Sequence, residues 1–208
     1  MIAYATRTGT RRNRDALAAA GWGFFLTPDA HSSSGWSGRV ALDNGAWGAF
    51  QQDIEWNPAR FTALVDRYGS RADFVVAPDI VAGGRASLTR SLLWLPRLLD
   101  CVERVLVPVQ DGMVPEDISE HLGRRVGLFV GGSTDWKLAN LRLFCELATE
   151  RGAWSHVGRV NSVTRINLCL SAGATSFDGT SASRYAKTLP PLDAARRQHT
   201  MFKELDHV

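Results

Sequence analysis

The stretch "RVLVPVQDGMVPEDISEHLGRRVGLFVGGSTDWKLANLRLFCELATE", residues 104–150, decides the fold. It opens on an apolar, Val-rich run, "RVLVPV" (104–109), closed by Gln110. A segment of helical character at 115–122 follows, and then a second run, "VGLFVG" (126–131). Gly131 and Gly132 turn the chain, Ser133 and Thr134 offer a polar cap, and 134–151 has helical period. Short β-branched runs separated by helices are the pattern of buried parallel strands joined by crossover connections.

The alternation extends in both directions. Further strands are predicted at 2–6, 23–27, 39–43, 73–78, 155–160 and 175–179, making eight. Further helices are predicted at 11–20, 58–68, 86–101, 161–172 and near 191–205. Asn57 before Pro58 is a helix start, whereas Pro96 predicts a kink or break. The connection "PDAHSSSGWSG" (28–38) has turn formers and no helical period. The expectation is therefore an α/β chain folded as a compact (β/α)8 TIM barrel with one helix missing, a single domain over 1–208. An open doubly wound sheet is the alternative.

With 45% hydrophobic and 22% charged residues the chain can bury a sizeable core. It has no apolar run of membrane-spanning length and no order of charged, apolar and cleavage regions at its start, so no membrane association and a cytoplasmic location are expected. Cys101, Cys145 and Cys169 are dispersed and odd in number, and so are His31, His121, His156, His199 and His207. Neither set has ligand spacing, so no metal site and no cofactor are expected. All but three of the 24 basic residues are arginine, a side chain suited to phosphate contacts but also favoured by a GC-rich genome.

Both architectures gather the C-terminal strand ends on one face, where ligands bind. Asp43, Asp79, Gln110, Gly131, Gly132 and Asp178 all lie at such ends. An Asp there is often a cap or turn former, which is the competing reading for Asp79 before "IVAGG". Asp43 and Asp178 are each followed within two positions by Gly rather than directly by a helix, which makes capping less natural. Trp47, Phe50 and Phe177 are aromatic neighbours that could sandwich a flat ring, with core packing as the alternative.

In order, "ALDNGAW", "VQDG", "LFVGG" and "HVGRVNSVTRINLCLSAGATSFDG" resemble the motifs of the tRNA-guanine transglycosylase superfamily, including relatives that insert 7-deazapurines into DNA. The resemblance runs in register from about residue 39 to 180. It implies a pentosyl transfer in which Asp178 is the nucleophile and Asp43 the general acid/base, while Asp79, Asn44, Gln110 and the backbone of Gly131 and Gly132 bind the base. The implied partners are DNA, alternatively tRNA, and a free 7-deazaguanine base; the oligomeric state stays open. The chain departs from the pattern in carrying Asn44-Gly45-Ala46 for Ser-Gly-Gly and in lacking the Cys-x-Cys-x-x-Cys and His zinc motif of the tRNA enzymes. That departure favours DNA. Arg159 and Arg184, in the loops after the last two strands, are candidates for holding the phosphate backbone, with Arg11, Arg12 and Arg14 extending the path. A noncatalytic nucleic-acid-binding barrel and a phosphosugar-metabolising barrel, with phosphate bound at "GRVNS" and "DGTSASR", are the rival functions.

Overall fold

Parallel pairing runs from β1 (Ile2–Thr6) through β2 (Gly23–Leu26), β3 (Val40–Leu42), β4 (Val75–Val76), β5 (Val105–Val109), β6 (Val126–Val130), β7 (Ser155–Val157) and β8 (Ser176–Gly179). β8 pairs back to β1, with Tyr4 opposite Asp178, so the sheet closes into an eight-stranded barrel. The open-sheet alternative is thereby excluded. The computed structural model describes residues 1–6, 10–29, 36–184 and 186–198; His31, His199, His207 and the part of the expected last helix beyond 198 lie outside them.

Helices cover the barrel: α1 (Arg11–Ala19), α2 (Ala46–Gln51), α3 (Pro58–Tyr68), α4 (Gly84–Cys101), α5 (Pro115–Ile118), α6 (Thr134–Glu150), α7 (Val163–Ser171), α8 (Ser181–Arg184) and α9 (Leu189–Arg197). No helix occurs among the described residues between β2 and β3. The caps are chemical. Asn57 Oδ1 accepts the Ala59 and Arg60 N–H groups at the start of α3, and Ser133 and Ser162 accept from Trp136 and Arg165.

β4 and β7 are shorter than the expected 73–78 and 155–160, and two further details differ from expectation. α4 runs unbroken through Pro96, because Leu88 and Leu98 bury on either side of it and anchor both halves of the helix. The loops after β3 and β8 also carry α2 and α8, each too short to show a helical period in sequence.

The period of two along each strand sorts the side chains. Phe24, Leu42, Val107 and Phe177 face the helices, whereas Tyr4, Phe25, Ala41, Phe74 and Leu106 fill the barrel interior with Phe129 and Trp154 against them. Tyr4 closes the lower end by donating to Asp73 Oδ2 at 2.6 Å, and Arg39 pairs with the other oxygen at 3.0 Å. Residues in step with this interior set, among them Gln110, His156 and Asp178, are delivered to the barrel axis.

Candidate active site

Asp178 is the last interior residue of β8. Its neighbour Phe177 turns outward and packs edge-to-face on Trp22 at 5.5 Å, so Phe177 is core and not part of a base sandwich. Gly179 follows because a Cβ there would stand 2.3 Å from the Val160 carbonyl oxygen. The close approach of β8 to the loop after β7 lets the Arg159 N–H reach Asp178 Oδ1 at 3.3 Å. His156 Nε2 lies 3.1 Å from the same oxygen. Beneath it, His156 Nδ1 lies 2.8 Å from Ser176 Oγ, which also accepts from Trp154 Nε1 at 2.7 Å.

His156 is 0% exposed and boxed by rings: Phe129 is stacked at 5.3 Å, with Phe74 at 4.9 Å and Phe25 at 5.5 Å. Burial holds its pKa below the ordinary value against the pull of Asp178, so it is a neutral imidazole near pH 7.

Asp43 follows β3 and reaches the same mouth, its N–H held by the Leu26 carbonyl at 2.7 Å. It keeps part of its surface exposed, but the crowding of its carboxyl pushes the pKa up to about 7. Burial is the largest cause, and the Asp178 and Asp79 charges add to it. Asp79 is raised as well, again by burial, which outweighs the Asn44 hydrogen bond.

Single polar side chains stitch neighbouring loops together around this mouth. Asn44 donates to the Ala77 carbonyl at 2.7 Å and to Asp79 Oδ1 at 2.8 Å, and accepts from Ala46 N–H at 2.8 Å. Both of its amide protons are thereby used, so Asn44 orients Asp79 rather than presenting a free donor. Gln110 donates one amide proton to the Ile80 carbonyl at 2.9 Å, which leaves its second N–H and its oxygen for a ligand. Asp111 accepts the Ser133 N–H at 2.7 Å and the Ser133 hydroxyl at 2.5 Å. Asn161 Oδ1 accepts the N–H groups of Thr180 at 2.8 Å and Ser181 at 3.0 Å.

The glycine pair is placed between these ties. Gly131 N–H is spent on the Val109 carbonyl at 2.9 Å, and the Gly132 carbonyl accepts from the Arg159 guanidinium. The backbone groups of the pair left for a ligand are therefore the Gly131 C=O and the Gly132 N–H. Gly132 has φ +75° and a Cβ there would stand 2.5 Å from Asp111 Oδ2, so only glycine suits.

The arginines divide. Arg159 has φ 61°, and its guanidinium lies 4.4 Å over the Trp47 ring, so it spans the mouth rather than projecting into solvent. Arg184, Arg11 and Arg12 are exposed around the rim. Trp47 and Phe50 stack on each other at 5.8 Å on α2 and are 40% and 60% exposed.

Two residues of the site were not singled out from the sequence. His156 was noted only as one of five scattered histidines, although its interior register beside Ser176 is readable from the period of two in β7 and β8. Lys137 is the only lysine before Lys187, an oddity in an arginine-dominated chain. It is buried and donates to the Gly158 carbonyl, holding the turn that presents Arg159. Burial, then the Arg159 charge, lower its pKa to about 8.

Among the described residues no group of three His, Cys, Asp or Glu is arranged to hold a metal ion, and no helix is long and apolar enough to cross a membrane. Compared with known proteins, the chain matches no family model and finds no significant match among curated sequences.

Proposed function

We propose that the chain is a nucleic-acid guanine transglycosylase that exchanges guanine, in DNA by preference, for a 7-deazaguanine base. The observation that carries the reading is the pair of carboxylates at one barrel mouth in unlike surroundings. Asp178 accepts the Arg159 N–H and lies 3.1 Å from His156 Nε2, whereas Asp43 is crowded enough that its proton is retained near pH 7. One is equipped as a nucleophile and the other as a proton carrier.

The reaction balances on those two groups. A carboxylate oxygen of Asp178 forms a bond to the sugar C1′ as the C1′–N9 bond to guanine breaks, and Asp43 gives its proton to the departing base. The incoming base then returns a proton to Asp43, bonds to C1′, and releases Asp178 as carboxylate. No phosphodiester bond takes part, and because Asp178 holds C1′ until the new base bonds, no free abasic sugar is left in the polymer. A base inside a duplex cannot reach this mouth, so the target nucleotide is flipped out or single-stranded, at a cost of a few kcal/mol. Gln110, Asp79 and the free Gly131 and Gly132 backbone groups would face the base edge. The exposed Trp47 and Phe50 offer apolar faces beside it. The preference for DNA rests on the resemblance, since the chain lacks the zinc motif of the tRNA enzymes.

The phosphosugar reading is less well supported. The Thr180 and Ser181 N–H groups, which a phosphate after the last strand would use, are already taken by Asn161.

The test is exchange of radiolabelled guanine into a guanine-containing oligodeoxynucleotide and into a matched RNA, with adducts sought on denaturing gels. Label in DNA supports the reading, and label in RNA alone reassigns the substrate. The absence of label and adduct with both polymers overturns it.

A further inference from the structure

Resting on Asp178 as the nucleophile, we propose that His156 is a positioning residue: held as the Nε2–H tautomer, it saturates Oδ1 of Asp178 and commits Oδ2 to attack. The contacts beneath Asp178 fix the tautomer. The Trp154 indole N–H can only donate, so at 2.7 Å it takes one lone pair of the Ser176 hydroxyl. The hydroxyl proton is then available to His156 Nδ1, 2.8 Å away. With Nδ1 accepting, the ring proton sits on Nε2 and is donated to Asp178 Oδ1 at 3.1 Å.

The opposite tautomer fails at the other end. It would set the Nε2 lone pair against Oδ1 and require a proton on that oxygen, yet Oδ1 already accepts the Arg159 N–H at 3.3 Å. A charged imidazolium fails too, because the ring is fully buried among Phe25, Phe74 and Phe129. The same rings prevent the imidazole from turning, so the donor direction is fixed before any substrate arrives.

The two oxygens of Asp178 are thus unequal. Both N–H donors go to Oδ1. Among the described residues no buried side-chain oxygen lacks a partner, so Oδ2, which receives neither donor, is the oxygen open to the mouth. Lys137 supports the arrangement at one remove, by holding the Gly158 carbonyl in the turn that carries the Arg159 N–H.

The experiment has two arms on the full chain. With 15N-histidine labelling, and His156→Gln used to assign the signal, NMR of the free protein near neutral pH should show His156 with a protonated Nε2 and an unprotonated Nδ1. Ser176→Ala should release that preference. A protonated Nδ1, or a doubly protonated ring, overturns the proposal whatever the protein's activity. In the second arm, His156→Leu should slow adduct formation at saturating oligonucleotide by roughly tenfold to a hundredfold, the scale seen when the hydrogen-bond partner that orients a metal-ligating side chain is removed. Half-saturation should stay unchanged, and His156→Gln, which keeps an N–H donor, should recover most of the rate. A folded His156→Leu protein that traps adduct at the wild-type rate overturns the positioning role. If the wild-type chain forms no adduct with either polymer, the transglycosylase reading fails, and the tautomer measurement still decides which oxygen is saturated.

Discussion

Replacing Asp43 by Asn should stabilise the folded chain, and only above a particular pH. The folded carboxyl titrates at about 7 against an ordinary 3.8, mainly because it is buried and then because Asp178 and Asp79 repel its charge. Each tenfold rise in proton affinity is worth about 1.4 kcal/mol, so holding Asp43 ionised costs the fold at most about 4 kcal/mol, and less because part of its surface stays in water. The sign follows from proton binding. Between about pH 4 and pH 7 the folded state binds this proton more tightly than the unfolded state, so this contribution to stability falls as pH rises. It is fully unfavourable above about pH 7 and absent below about pH 4. Asn keeps the shape without the charge. The Asp43→Asn protein should therefore match wild type near pH 4 and exceed it by about 2–4 kcal/mol near pH 8, with the difference opening in between. Urea unfolding followed by tryptophan fluorescence, using the seven tryptophans, measures both proteins across that range. Depressed groups such as His156 and Lys137 are present in both proteins and largely cancel from the difference. A difference that is flat with pH, or that favours wild type at pH 8, would refute the crowding on which the proposed proton-carrier role depends.

Lys137→Met should show the mirror-image dependence. The folded pKa is lowered to about 8, so the variant's stability advantage is greatest below that pH and shrinks as pH rises toward the ordinary 10.5, again by urea unfolding. Gly179→Ala places a methyl 2.3 Å from the Val160 carbonyl and should cost about 1–3 kcal/mol or more, read as a lower urea midpoint with an unchanged slope. Removing Arg184, which is exposed, should flatten the log-log salt dependence of oligonucleotide binding by about one, as expected for a lost phosphate contact. Arg159→Ala should flatten it less, because that guanidinium is committed to the Gly132 carbonyl and the Trp47 ring; equal slopes for the two variants would place Arg159 on the phosphates instead.

The fold was legible because burial on both faces makes the strands short, mostly apolar runs, Val-rich in the middle of the chain, and "RVLVPV" and "VGLFVG" are found as β5 and β6 to within a residue or two. The strand-end polar residues could be placed at one mouth for the same reason: parallel strands of a barrel share a C-terminal face. What could not be read was how those residues are spent. Asn44 and Gln110 look alike in sequence, as amides beside an apolar strand. Asn44 uses both amide protons on the loop after β4, whereas Gln110 keeps an oxygen free, a difference decided by contacts more than 30 residues away in sequence for Asn44 and 30 for Gln110. Phe177 and Asp178 are adjacent in sequence, yet the pleat sends one to Trp22 and the other to the mouth.

His156 was illegible for a further reason, which bears on how the barrel works. In sequence a lone histidine inside an apolar run is indistinguishable from a satisfied core residue, and by packing it is one: three phenylalanines box it and it is wholly buried. Its importance comes from the level at which the apolar filling stops. Around His156 the interior is aromatic and aliphatic, with Tyr4, Phe25, Phe74, Phe129 and Leu106, the Ser176 hydroxyl meets its Nδ1, and Asp178 meets its Nε2 on the mouth side. A histidine at that boundary has an apolar floor that keeps it neutral and a carboxylate above that takes its proton as a hydrogen bond. Leucine there would preserve the floor and leave Oδ1 with the Arg159 N–H alone. The low-dielectric filling that makes the barrel stable thus also strengthens the hydrogen bond that, on the proposed tautomer, His156 adds to the Arg159 N–H in holding Oδ1 of Asp178.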